Sequence, residues 1–281
     1  MDNQLVQLIR SLLLLGTGVR VGGERSEPEV IALPARSIFH TMVVGKSGYG
    51  KSRWLCALAL VLLSRDIPFI LIDPAGDLAR LLLQLLISLG WFARQPDPFS
   101  KLVYLDLNTA RTRDLYLPFN VLQTSHDAYT TADIVLEAFK RAFPVLKGGV
   151  MINIELLLKV SSYVLAANKL PLFPYMYYLL TNHTYREHLL SSEAVTDSLV
   201  KHFFEQHTNP KTGGLTIGAD PTVKRLFNLC FVPAIRFSLG QASNVLDFPS
   251  FLANGRSVIL NLQSPDPETT RLIGSLVTVS V

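Results

Sequence analysis

The chain has 281 residues, 49% of them hydrophobic and only 17% charged, enough for one large α/β domain or a domain with an insertion. Mean hydropathy is +0.31, yet no run reaches eighteen uninterrupted apolar residues and the start, Met1-Asp2-Asn3-Gln4, lacks the basic opening of a signal peptide, so a cytoplasmic location is expected. The net charge of +4 permits nucleic-acid binding without requiring it, and two isolated cysteines, Cys56 and Cys230, argue against structural zinc and a disulfide framework.

Residues 1–37 read as a lead-in, with a short edge strand at 29–34 ended by Pro34. The apolar run 38–44 reads as the first core strand. It is followed directly by Gly45-Lys46-Ser47-Gly48-Tyr49-Gly50-Lys51-Ser52, which fits G-x-x-x-x-G-K-[ST], and then by an apolar helix from Arg53 to about Ser64. A triphosphate needs several donors converging on it and a close backbone approach. Gly45, Gly48 and Gly50 clear that approach, and the amides of the loop and helix start would face the phosphates. Lys51 is expected on the β- and γ-phosphates, with Ser52 on Mg²⁺. Lys46, Ser47 and Tyr49 contribute mainly backbone, and Arg53, which opens the helix, is the last of the expected nucleotide-binding residues. At ordinary glycine usage such a match arises by chance in a chain this long roughly 1% of the time.

The next elements expected are a strand over 67–73, a helix over about 78–94, a break at Pro96-Asp97-Pro98 and a strand over 101–107. Continuous apolar strands separated by helices imply a parallel sheet covered on both faces. From 125 to 238 the pattern is helical: 127–143, 150–168, 173–180, 185–191, 194–206 and 221–238, with a loop at 208–218. A buried strand returns at 257–262, and a last helix is expected over about 269–279, with Asp266 or Glu268 near its start. The organisation expected is thus 1–124 as the first part of an ATPase core, 125–238 as an all-helical insertion and 239–281 as the return to the core.

A second constellation closes the strand after the octet: Ile72-Asp73-Pro74-Ala75-Gly76-Asp77. Asp73 would emerge at the carboxyl end of a strand, where open α/β sheets bind ligands. Asp77 reads either as part of that site or as a helix N-cap.

Octet and D-P-x-G-D turn together resemble the HerA–FtsK branch of P-loop ATPases, and within it the TraG/TraD group of conjugative coupling proteins of type IV secretion. Pro118-Phe119-Asn120-Val121-Leu122 is similar to that family's F-N-P-L turn, and Phe237-Ser238-Leu239-Gly240-Gln241, Leu246-Asp247-Phe248, Leu252 and Gly255-Arg256 follow in the family's order. The resemblance covers roughly residues 17 to 281. It implies a RecA-like fold, ATP and Mg²⁺ as cofactors, and a homo-oligomeric ring that moves DNA without sequence preference, with secretion or nuclease proteins as partners. It also implies Lys51 and Asp73 as catalytic residues, a trans arginine drawn from Arg236, Arg256 and Arg271, and phosphate contacts from basic loops such as Lys147 or Lys211.

Ala75 and Val121 depart from the family's usual lysine and proline. The family's acidic strand ending in Asp-Glu comes one helix after the 258–262 strand. This sequence reaches Val281 inside that helix, as expected of a piece of a longer protein; the alternative is a degenerate member that binds nucleotide without turning it over. The family's N-terminal membrane helices have no counterpart here, which suggests a soluble relative. A P-loop kinase fits the turn and the insertion less well. The six histidines are scattered, with His183/His188 and His202/His207 five apart rather than four. Tyr175, Tyr177 and Tyr178 read as helix packing.

Overall fold

A computed structural model describes residues 12–18, 29–34, 42–106, 115–143, 152–264 and 266–280. The chain forms two compact units, Met1–Phe69 with Arg80–Pro96, and Ile70–Ala79 with Asp97–Val281. The second unit is an α/β structure with a three-stranded parallel sheet and many helices.

In the first unit, β1 (Leu12–Gly18) pairs antiparallel with β2 (Glu29–Pro34), with a bulge between Leu14 and Gly16. The sequence suggests β2, and the Gly22-Gly23 pair between the two strands was the available signal for β1. The strand expected over 38–44 is not found in its described part. Residues 42–44 are irregular and exposed, Met42 at 86%, while 38–41 lie outside the described residues. Apolar composition alone does not make a strand, and among the described residues no strand pairs with 42–44.

Helix α1 (Lys51–Ser64) forms as expected. The helix expected over 78–94 divides into α2 (Asp77–Ser88) and α3 (Trp91–Arg94). Gly90, at φ 64°, takes the left-handed conformation between them and ends the first helix. Ala79, Leu82 and Leu86 of α2 are fully buried, at the i, i+3, i+7 spacing of one helix face.

In the second unit, β3 (Ile70–Asp73), β4 (Leu102–Asp106) and β5 (Ser257–Asn261) form the sheet in the order β3-β5-β4. The central strand, β5, is buried at every position, consistent with its uniformly apolar Val258-Ile259-Leu260 run. The helices are α4 (Ala128–Ala142), α5 (Ile152–Ala167), α6 (Tyr175–Thr181), α7 (His183–Leu190), α8 (Ser198–Gln206), α9 (Asp220–Cys230), α10 (Pro233–Ser238), α11 (Phe248–Ala253) and α12 (Pro267–Ser280). One core runs from Phe119 and Phe139 through Leu157, Leu226 and Phe248 to Leu260 and Leu276. The helices of 125–238 therefore share their interior with β5 and α12, and α4 packs on both α5 and α12.

Local chemistry sets the helix ends. Asp127 Oδ1 accepts from the N–H groups of Tyr129 (2.9 Å) and Thr130 (3.0 Å) at the start of α4. Asp197 caps α8, Asp247 caps α11, and Asp266 caps α12 by accepting from Thr269 N–H at 2.9 Å. Asn182 ends α6 and caps α7. The single helix expected over 221–238 is two, because Pro233 cannot donate to a continuing ladder and instead opens α10. Helix α11 was not expected from the sequence; six residues are too few to show a helical period.

Buried Arg186 organises the loop over 208–218. It is 0% exposed and donates to the carbonyls of Leu179 (3.2 Å) and Gly213 and to Thr208 Oγ1 (3.5 Å). Burial lowers its pKa from the ordinary guanidinium value, against the pull of Glu187. Among the described residues no helix is long and apolar enough to cross a membrane.

Candidate phosphate loop and polar sheet edge

The octet lies in the first unit. Gly48 and Gly50 both hold φ 83°, a left-handed conformation that side-chain-bearing residues rarely adopt. A Cβ at either position would meet nothing within 4 Å, so the conformation and not crowding calls for glycine. Tyr49 N–H donates to Lys46 O at 3.3 Å, closing the turn.

Helix α1 begins at Lys51 behind Gly50, with no side-chain cap and no acidic residue in its first turn. Its first intrahelical bond runs from Trp54 N–H to Gly50 O at 2.9 Å. The N–H groups of Lys51, Ser52 and Arg53 precede that bond, and among the described residues no side-chain anion caps the positive end of the helix dipole. The ammonium of Lys51 folds back over the loop, 2.7 Å from Gly45 O and 2.9 Å from Lys46 O. Residues 45–50 are exposed, Tyr49 at 78%, and so are Ser52 and Arg53. The structure thus brings Gly45, Lys46, Ser47, Gly48, Tyr49, Gly50, Lys51, Ser52 and Arg53 into one loop–helix junction. Its donor set fits a polyphosphate: two left-handed glycines, an uncapped helix start and one ammonium over the loop.

Asp73 lies in the second unit and ends β3, at the carboxyl end of a strand as its sequence suggests, but it is buried and held by backbone. It is 6% exposed, its Oδ1 accepting from Ala75 N–H at 3.1 Å and its Oδ2 from Ala79 N–H at 2.8 Å. The capping role considered for Asp77 is performed by Asp73, and Asp77 is the first residue of α2. As a catalytic candidate, Asp73 is a carboxylate with both oxygens engaged by backbone.

The three parallel strands end on a row of polar residues in register, Asp73 beside Asn261 and Asn261 beside Asp106. Asn261 is fully buried, and its Nδ2 donates to Asp106 Oδ2 at 3.1 Å and to Tyr104 Oη at 3.3 Å. A Cβ on Gly76, whose φ is 80°, would lie 2.6 Å from Asn261 Oδ1. This edge occupies the carboxyl ends of the strands, where α/β sheets bind ligands. Sequence reasoning reached Asp73 and missed Asn261 and Asp106. Each closes an apolar run, Leu260-Asn261 and Leu105-Asp106, and that was the available signal.

The remaining candidates are dispersed. Arg236 is exposed with its guanidinium 5.5 Å from the Phe237 ring centroid, Arg256 is half-buried, and exposed Arg271 donates to Pro267 O. Lys211 is exposed in the 208–218 loop, and Lys147 lies outside the described residues. Among the described residues no group of His, Cys, Asp or Glu is arranged to hold a metal ion. Tyr175, Tyr177 and Tyr178 take part in edge-to-face contacts. No family model matches the chain, and no curated protein or solved structure is similar to it.

Proposed function

We propose that the chain binds ATP with Mg²⁺ at residues 45–52 and belongs to a P-loop motor that moves DNA. One observation carries the nucleotide reading: the octet combines left-handed Gly48 and Gly50, an uncapped helix start and the Lys51 ammonium poised over the loop carbonyls. The loop and helix amides and Lys51 would hold the phosphates, and the Ser52 hydroxyl would take the magnesium ion. The bound nucleotide supplies the phosphoryl group whose transfer such sites promote by positioning and charge neutralisation. Lys51 contributes a charge that is already held against the loop. Asp73 holds the turn into α2 rather than presenting a free carboxylate.

DNA translocation, a homo-oligomeric ring, a trans arginine among Arg236, Arg256 and Arg271, secretion or nuclease partners and a cytoplasmic site of action are supported by the order of motifs in the sequence. So are the RecA-like fold and the role of 125–238 as an insertion in it. DNA would be held through its phosphates by exposed lysines such as Lys211, and so without sequence preference. A second reading is a nucleotide-binding module without turnover. It is favoured by the engaged state of Asp73, whose two carboxylate oxygens each accept a backbone N–H.

The experiment is nucleotide binding and ATP hydrolysis by the wild-type chain and Lys51→Ala, with and without single- and double-stranded DNA. The motor reading expects binding, DNA-stimulated hydrolysis and loss of both in the variant. Binding without hydrolysis selects the module. No difference between wild type and Lys51→Ala removes both.

A further inference from the structure

A cavity with no residue of the phosphate loop in its lining lies in the second unit between α4, α5 and α9. It encloses about 200 Å³. Its walls are apolar: Phe139 of α4, Ile154 and Leu158 of α5, and Pro221 and Leu226 of α9. Two polar residues of α9, Thr222 and Arg225, complete the lining.

Neither polar side chain has a hydrogen-bond partner among the described residues. Thr222 is 3% exposed, and its hydroxyl has no hydrogen-bond partner. Buried hydroxyls are almost always partnered, so one lining a cavity points to a ligand that supplies an acceptor. Arg225 has its guanidinium 4.7 Å from the Phe143 ring centroid, held by the ring face. No carboxylate among the described residues pairs with it. The acids on the adjoining helices are taken: Glu155 pairs with Lys140 at 2.8 Å, Asp133 with Lys159 at 2.6 Å and Glu137 with Arg141 at 3.2 Å. The cavity thus has apolar walls and, among the described residues, one cation without a carboxylate partner and one idle hydroxyl.

We infer that this cavity binds a carboxylate carried on a small apolar body. The carboxylate pairs with Arg225 and accepts from the Thr222 hydroxyl, while the body fills the space among Phe139, Ile154, Leu158 and Leu226. At roughly 30 Å³ per water-sized unit the space holds about seven such units, the size of a short-chain fatty acid or of one apolar residue at a peptide's carboxyl terminus. A nucleoside triphosphate is too large and too polar for it, so the site is independent of the phosphate loop.

The test uses the full chain and methyl NMR of Ile154, Leu158 and Leu226. Hexanoate and N-acetyl-leucine are titrated against their uncharged counterparts, hexanamide and N-acetyl-leucinamide. The carboxylates are expected to shift those methyls and to bind about tenfold more tightly than the amides, as suits a charge-assisted pair. Arg225→Gln is expected to lower affinity about tenfold or more and to abolish preference over the amide, and isosteric Thr222→Val to lower it several-fold. A response to hexanoate alone assigns the site to free acids, and one to N-acetyl-leucine alone assigns it to chain termini. Equal binding of acids and amides, unmoved methyls, or unchanged affinity in a folded Arg225→Gln chain overturns the inference. Should Arg225→Gln fail to fold, the acid–amide comparison on the wild-type chain decides alone.

Discussion

The carboxylate of Asp73 reaches forward six residues to accept the N–H of Ala79 at 2.8 Å, while its other oxygen takes the N–H of Ala75. One side chain thereby closes the strand-to-helix turn from β3 into α2. Asp73→Ala leaves two N–H groups without their acceptor and is expected to cost roughly 1–3 kcal/mol. Asp73→Asn keeps one acceptor and costs less. Urea unfolding of the two variants checks the ordering; an Asp73→Ala chain as stable as wild type removes the capping role.

Gly76 and Gly48 have the same backbone sign but different surroundings. Alanine at Gly76 would place its Cβ 2.6 Å from Asn261 Oδ1 as well as strain a φ of 80°, whereas at Gly48 a Cβ meets nothing within 4 Å. Gly48→Ala should therefore cost only the left-handed penalty, on the order of 1–2 kcal/mol, and Gly76→Ala distinctly more. Thermal unfolding of the pair separates them, and equal losses would show that the contact with Asn261 is easily relieved.

Acid should weaken the helix starts. Hydrogen bonds from the Thr130 amide and hydroxyl and the Tyr129 amide hold Asp127 below its usual 3.8, and the Tyr129 hydroxyl does the same for Asp197, helped by the Leu199 and Val200 amides. At Asp266 burial pushes the other way, but the Thr269 hydroxyl and amide and the Glu268 amide outweigh it. A carboxylate with a lowered folded pKa contributes stability fully above its unfolded value and loses it as pH falls through the folded one. The loss is thus expected to start near 3.8 and continue downward. Asp127→Asn keeps an acceptor that does not titrate. Its urea midpoint should change less than that of wild type between about pH 5 and about pH 2.5; an identical change would exclude Asp127 from the acid response.

Cys230 should be a slow nucleophile. Burial pushes its thiol up to about 11, with Arg236 opposing, so at pH 8 only about a thousandth of it is thiolate. Alkylation by iodoacetamide should be far slower in the folded chain than in urea. Equal rates would place the thiol in water.

Arg186 should matter more to its loop than to the helices around it. Arg186→Met keeps the stem volume but removes the donors to Leu179, Thr208 and Gly213, and limited proteolysis is expected to shift to residues 208–218. Cleavage elsewhere, or none, would show that the loop stands without it.

Local signals carried through where they were locally sufficient. Asp127 ahead of an apolar period set the start of α4, and Ile70-Leu71-Ile72 ahead of Asp73 set β3. The octet's left-handed glycines were legible because only glycine adopts that backbone freely. Failures were of two kinds. Single residues inside apolar stretches, Gly90 and Pro233, cut expected helices in two. Pairing was the other: residues 42–44 are as apolar as any strand in the chain, yet whether they join a sheet depends on a neighbour that composition does not specify. The polar edge escaped for the same reason. Asp73, Asn261 and Asp106 become one row only through parallel register among distant segments.

The position of β5 also sets a timetable for synthesis. Among the described residues β3 and β4 do not pair with each other, and each pairs with β5. While a ribosome is making everything from Ile70 to Gly255, both outer strands lack the partner that completes their hydrogen bonds, and the sheet can close only after Asn261 has emerged. The helices of the intervening stretch, with mostly local contacts, are free to form first. For that interval two apolar strand edges depend on the nascent helices or on a chaperone for cover, and a stall before residue 257 would leave them open to pairing with another chain.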